Sequence, residues 1–218
     1  MEEEGFQELM EEAAKMKNAQ LEEKRKEWLK GPEFLKRTLT GKASIASLRS
    51  SQTFQERLVF ISEHKDQGNA YCQDGDFEEA IGEYVEALSV LLWFWLPGGK
   101  HSKEIPLFAG YDAFKSPECC ASARRTLVAI LLNVAHCLNK VERWDPSIYA
   151  CTYVLDKLDK YSVKALYRRA VAYYGQGTSF SLDQAVEDLL SANSIDPEDK
   201  QVSKLLQKYF KLKVKQDR

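Results

Sequence analysis

Little in this 218-residue chain interrupts a helix: there are only 6 prolines and 11 glycines, and strict apolar-polar alternation of the strand type is rare. No charge of one sign prevails. The 31 basic and 33 acidic residues give a net charge of -2 and a pI near 6.0. That balance excludes a global field drawing the protein to nucleic acid or to an acidic membrane, so any electrostatic function must be local. The longest apolar run, "ALSVLLWFWLPGG" from Ala87, is too short to span a bilayer and is closed by Pro97, Gly98 and Gly99. It is expected to end a buried helix. Five cysteines at irregular spacings (Cys72, Cys119, Cys120, Cys137, Cys151) form no disulfide framework, and no cleavable leader is legible ahead of them. A reducing cytoplasm is the compartment that suits them. The three histidines, His64, His101 and His136, fall in no zinc-ligand pattern, and there is no C-x-x-C, no G-x-S-x-G and no phosphate-cradling glycine loop. The adjacent Cys119 and Cys120 are an incidental pair. No cofactor, no metal and no catalytic activity are therefore expected.

What the chain does have is apolar residues at three-to-four spacing over long stretches, and at 44% apolar it can bury a substantial core. The fold class is all-α. Residues 1–57 form a separate charged extension. Its first thirty positions carry nine acidic and six basic residues around a short stripe of Phe6, Leu9, Met10 and Ala13, which Leu21, Trp28 and Leu29 continue imperfectly; a solvated, weakly amphipathic helix is expected. From Gly31-Pro32 to residue 57 the chain turns basic and hydroxyl-rich, as in "TLTGKASIASLRSSQT", which predicts a linker or a lightly docked arm. Residues 198–218 form a final helix with Val202, Leu205, Leu206, Tyr209 and Phe210 on its inner side.

Residues 58–197 repeat. "HKDQGNAYCQDGDFEEAIGEYVEAL" holds one helix with Gly68 and Tyr71, a turn at Asp74-Gly75-Asp76, and a second helix with Ala80, Tyr84 and Ala87. The same grammar returns around Ala135, Leu138, Ser147 and Cys151, and again around Ala170, Tyr173, Ala185 and Leu189. Small residues let paired helices approach closely while aromatics fill the space beside them. The anchors Gly68, Ala135 and Ala170 lie 67 and 35 positions apart. The second interval is one repeat of about 34 residues with one extra, and the first is a repeat plus an insertion of similar length. We assign repeat 1 to about 58–96, the insertion to about 97–121, repeat 2 to about 122–160, repeat 3 to about 161–197 and a capping helix to 198–218. The insertion is expected to prolong the second helix of repeat 1 and the first of repeat 2, and "GQGTSFS" to lengthen the turn inside repeat 3. Trp93, Phe94 and Trp95 should pack beneath the inserted loop.

This pattern resembles the tetratricopeptide repeat, in which first helices line the concave face of a curved stack. In that register Lys65 and Asn69 face the groove from repeat 1, Asn133 from repeat 2, and Lys164 and Arg168 from repeat 3. These five residue types match the carboxylate clamp of tetratricopeptide co-chaperones, a family that includes immunophilins. The resemblance implies that they hold the terminal carboxylate and last acidic side chain of the EEVD tail of heat-shock protein 90 or 70. Tyr84 and Lys140 match accessory groove positions, and His136 stands where the family more usually has a small residue. The chemistry is coherent, because a chain end has two oxygens with about four acceptor sites, and only converging amide, ammonium and guanidinium donors satisfy them in a partly desolvated groove.

Taken singly, Lys164 and Arg168 are ordinary surface cations and Asn69 an ordinary solvated amide. Asn133 is different, because its neighbours in "AILLNVA" are otherwise apolar. The alternative is a scaffold taking an internal peptide or a non-chaperone partner. An isomerase domain of the immunophilin kind is too large for the 57 residues ahead of the repeats. The acidic start of the chain could also occupy the groove as a mimic, or, like the insertion, meet a further client.

Overall fold

The computed structural model describes residues 2–40, 42–50, 54–94, 107–108 and 116–216. Ten α-helices account for nearly all of these: α1 (Glu2–Leu29), α2 (Glu33–Arg37), α3 (Ala43–Ser50), α4 (Phe54–Asp74), α5 (Phe77–Leu92), α6 (Pro117–Lys140), α7 (Trp144–Tyr153), α8 (Val163–Gly175), α9 (Ser179–Ile195) and α10 (Lys200–Gln216). A π-helical turn, Val154–Leu158, continues α7. None of these helices is long and apolar enough to cross a membrane.

Helices α4 and α5, α6 and α7, and α8 and α9 form three hairpins, each packed on the next, with α10 closing against α9. Contacts of α4 with α6 and of α6 with α8 bring the first helices onto one face. The hairpin turns share a device: Gly75 at φ 91°, Glu142 at φ 59° and Gly177 at φ 73° each reverse the chain through the left-handed region. Two glycines are required for another reason. A Cβ on Gly68 would lie 2.7 Å from the Tyr84 ring, and one on Gly175 would lie 2.5 Å from the Trp144 ring. With Ala80, Ala87, Ala135, Ala170 and Ala185 fully buried, the small-residue anchors permit the close helix approach that the repeats need. Caps then fix the starts. Ser116 accepts a bond from the Cys119 amide ahead of α6, Ser162 caps α8, and Thr178 with Ser181 forms a capping box on α9.

Three expectations change. Helix α5 is not prolonged by the insertion: it ends at Leu92, and Trp93–Phe94 pairs antiparallel with Leu107–Phe108, Trp93 opposite Phe108. Helix α6 does begin early, at Pro117. Trp93 is fully buried, its indole N–H donating to Thr38 Oγ1 at 2.8 Å, whereas Trp95 and His101 lie outside the described residues. The turn in repeat 3 is not long, because Ser179 already begins α9. On α10, Val202 and Tyr209 are buried, and Tyr209 stacks on Tyr174 at 4.3 Å. Phe210, expected inside, is 52% exposed.

The segment from Gly31 onward is not lightly docked. Phe34, Leu35, Thr38, Ile45 and Arg49 are buried, and α2 and α3 lie against α5. Trp28 meets Tyr153 edge-on at 4.8 Å, so the end of α1 is anchored on the second-helix side of the stack and not in the concave face. Two buried arginines lock this arm to the end of α5. Arg49 donates to the carbonyls of Ser89, Thr40 and Thr38 at 3.0, 2.6 and 2.7 Å. Arg57 donates to those of Val90, Trp93 and Arg49 at 2.7, 3.1 and 2.8 Å. Helix α5 thus ends on cations that suit its negative pole. Burial pulls the Arg57 guanidinium down to about 9, helped by Arg49 beside it, and Arg49 down to about 10.

Removing those donors leaves buried carbonyls unpaired. Arg57→Ala is therefore expected to lower stability by about 3 kcal/mol, measured by urea unfolding followed by far-UV circular dichroism. A loss below about 1 kcal/mol would mean that water replaces the guanidinium.

Candidate functional site

Lys164 and Arg168 lie one turn apart on α8, and the helix turns them outward because Ala165, Leu166, Ala170 and Ala172 occupy its buried face. The neighbouring Arg169 takes the other side: it binds Asp188 through Nε at 2.8 Å and Nη2 at 2.7 Å, and reaches Thr152 at 3.1 Å. Arg169 thus ties α8 to α7 and α9, which leaves Arg168 facing the first helices. Together with His136, Asn139 and Lys140 of α6, Tyr167 of α8, and Asp199 and Gln201 at the start of α10, Lys164 and Arg168 line a groove of about 500 Å³.

Beside it, three polar groups from three helices make one chain. The Tyr84 hydroxyl donates to Asn69 Oδ1 at 2.8 Å, and Asn133 Nδ2 donates to the same oxygen at 3.0 Å. The double acceptance occupies the Asn69 oxygen and holds its amide so that Nδ2 is the end left to donate. Tyr84 is almost wholly buried, and burial raises its pKa, so the phenol stays protonated as a donor. Arg168 links the two clusters, since its charge acts on both Tyr84 and His136.

Arg168 has no carboxylate partner among the described residues, and its Nη1 is buried without a hydrogen bond. Burial lowers its pKa, partly opposed by the Cys151, Cys137 and Cys72 thiols and by Tyr84. The Cys137 and Cys151 thiols cannot neutralise it, because burial pushes both up to about 12. The same field acts on His136, which is held neutral by burial first and then by Arg168 and Lys140. Its ring meets Phe77 edge-on at 6.4 Å. The groove is on balance cationic, since Lys140, Lys164 and Arg168 outnumber Asp199 among its lining residues.

Of the eight residues singled out in the sequence, His136, Lys140, Lys164 and Arg168 line the groove, and Asn69, Tyr84 and Asn133 form the hydrogen-bonded chain beside it. Lys65 is the exception. It sits one turn before Asn69 on α4, but it is absent from the groove lining and its ammonium is 3.6 Å from Asp66 Oδ1. Asn139 was missed. Its Nδ2 donates to the Arg168 carbonyl at 2.9 Å and its Oδ1 is buried without a partner. Its spacing of three from His136 would have put it on the groove side of α6. Asp199 and Gln201 had no such signal, since the capping helix carries no repeat register. The Asp199 carboxylate accepts from the backbone amides of Gln201 and Val202, at 2.8 and 3.1 Å, as a helix cap.

No family model matches the chain. The chain is 30% identical over 161 residues to peptidyl-prolyl cis-trans isomerase FKBP42 of Arabidopsis thaliana, covering 72% of this chain and 38% of that protein. It is 28% identical over 122 residues to FK506-binding protein 5 of Rhizopus delemar, covering 56% and 27%. The chain therefore spans well under half of these relatives. Among solved structures it is similar to the C-terminal tetratricopeptide-repeat domain of a putative FK506-binding protein of Plasmodium falciparum, at TM-score 0.57 and 27% identity, covering 76% of this chain and 97% of that one. The first such domain of Spaghetti (RPAP3), solved with the HSP90 peptide SRMEEVD, shares the fold at TM-score 0.50 and 17% identity, covering 75% and 96%. Hairpin stack and relatives agree: the chain folds as a tetratricopeptide-repeat domain similar to those of immunophilin-like proteins.

Proposed function

We propose that the groove captures the C-terminal end of an acidic EEVD-type tail of heat-shock protein 90 or 70, making the protein a cytoplasmic co-chaperone or adaptor that recognises without catalysing. The observation that carries this reading is Arg168: a half-buried guanidinium without a counter-ion is costly unless an anion completes it. In this reading Asn69 and Asn133 donate to the terminal carboxylate, with Tyr84 holding the amide of Asn69. Lys164 and Arg168 take the last acidic side chain, and an anion between them offsets the repulsion of like charges one turn apart. Lys65 joins by swinging its flexible stem away from Asp66, a surface pair worth little. That a domain of the same fold has been solved with SRMEEVD supports the fit of such a tail to this architecture.

Charge-assisted hydrogen bonds contribute about 1.5–3 kcal/mol each, against an association cost of at least several kcal/mol, so micromolar affinity is expected. Titration calorimetry with a free-acid MEEVD peptide should give that affinity, weakening with salt. Amidating the peptide, or making Arg168→Ala, should cost about tenfold or more. Equal binding of both peptide forms would instead identify a scaffold for internal segments.

His136 supplies a second prediction. Its folded pKa lies below the unfolded value of 6.5, so its contribution to stability is present above pH 6.5 and is lost as pH falls. The free protein should lose stability between pH 7 and pH 5, and His136→Gln should flatten that slope. A bound anion raises the His136 pKa, so the peptide should bind about two- to fivefold tighter at pH 6 than at pH 7.5, with the gain absent in His136→Gln. A pH dependence identical in both proteins would mean that His136 takes no part in peptide binding.

A further inference from the structure

Where α1 ends, it forms one wall of a second groove, on the second-helix side of the stack. This hollow of about 470 Å³ runs along α7, with Glu27 of α1 on one side, Tyr173 of α8 on the other, and Asp145, Tyr149, Tyr153 and Asp156 between them. Its rings are braced from behind. Trp28 meets Tyr153 edge-on at 4.8 Å, and a Cβ on Gly31 would lie 3.2 Å from the Tyr149 ring. A tyrosine ring carries a negative π face, which attracts a cation. Arg169 already uses this property within the chain, its guanidinium standing 5.9 Å from the centre of the Tyr173 ring while Asp188 neutralises it.

The charges of the lining point the same way. Three carboxylates, Glu27, Asp145 and Asp156, face one ammonium, that of Lys157. None of the three has an ion-pair partner among the described residues, and Asp145 accepts from the Gln176 side-chain amide at 2.7 Å. Burial, and then Glu27, raises the Tyr149 pKa, so the phenol stays protonated in a negative field. The carboxylates are also spread out. Asp145 and Asp156 stand eleven positions apart on α7 and its π turn, a rise of about 16 Å, and no three metal-ligating side chains converge among the described residues. A single small cation would therefore leave most of the groove unused.

We propose that this groove binds an extended basic segment of a partner protein, its tyrosine rings and carboxylates receiving two arginine or lysine side chains. Side chains four residues apart on one side of an extended strand span about 13 Å, and their flexible stems cover the remainder. Nucleic acid and acidic lipid are repelled by the same carboxylates. The groove between the first helices takes no part, so the proposal is independent of what binds there.

The test is a titration of the isotope-labelled full chain, followed by amide chemical shifts, with an acetylated and amidated alanine heptapeptide carrying arginine at its second and sixth positions. Shifts are expected at Glu27, Tyr149, Tyr153 and Gln176, and not at Asn69 or Lys164. Glu27→Lys combined with Asp156→Lys should weaken binding by about fivefold or more, with an unchanged thermal midpoint, since both side chains are exposed. Citrulline in place of both arginines should cost as much. Glu8→Lys combined with Glu11→Lys makes the same change of net charge on the exposed start of α1, and should alter the affinity less than about twofold. The proposal is overturned by the absence of shifts at those four residues, by equal binding of the citrulline peptide, or by a loss no larger for the Glu27, Asp156 pair than for the Glu8, Glu11 pair. Shifts at the same residues on concentrating the protein alone would also overturn it, and would seat a second copy in the groove.

Discussion

The Tyr84 ring lies where a side chain on Gly68 would have to be, at 2.7 Å from a built Cβ, and it is this contact that draws α5 onto α4. The position of the ring decides where its hydroxyl goes. From there it donates to Asn69 Oδ1, the oxygen that also accepts from Asn133 on the next first helix. A packing requirement of the repeat and the alignment of its polar groups are therefore one geometric fact. A bulkier residue at position 68 would displace the ring, release the Asn69 amide and uncouple α4 from α6, even if the hairpins survived.

The same link explains why so much of the architecture could be found in the residues alone. Close helix approach needs small side chains at fixed intervals, and Gly68, Ala135 and Ala170 show that period directly. Asn133 was conspicuous for the opposite reason, as a polar residue in an apolar run. The N-terminal arm offered no comparable sign. Arg49 and Arg57 act through side-chain bonds to carbonyls at the end of α5, and a bond to backbone leaves no mark on the pattern of residue types around it. A basic, hydroxyl-rich stretch consequently resembled a linker while folding as a buried clamp. The insertion misled in the same way, since a two-residue strand pair has too little sequence to show an alternation.

The groove wall divides similarly. Lys164 and Arg168 were legible because one turn separates them on a helix whose register was known. Lys65 has the same register but a long stem and a nearby Asp66, and register fixes where a Cα lies, not where an ammonium rests. Asp199 and Gln201 enter the groove from α10, whose placement follows from packing on α9 and not from any repeat.

Arginines in this molecule meet three fates, and the contrast identifies the site more sharply than charge alone. Arg49 and Arg57 are buried among carbonyls that use their donors, and Arg169 is held in two bonds by Asp188. Each of these spends most of its donors within the chain and serves to join helices. Arg168 is half-buried, yet its Nη1 is unused and its surroundings include the Cys137 and Cys151 thiols and a phenol that burial keeps protonated. Folding has taken this guanidinium out of much of its water without supplying a counter-charge. The deficit is tolerable only because Arg168 borders an open groove, and the group best able to remove it is an anion small enough to enter between α6 and α8. A chain-terminal carboxylate with an acidic neighbour has that size and charge.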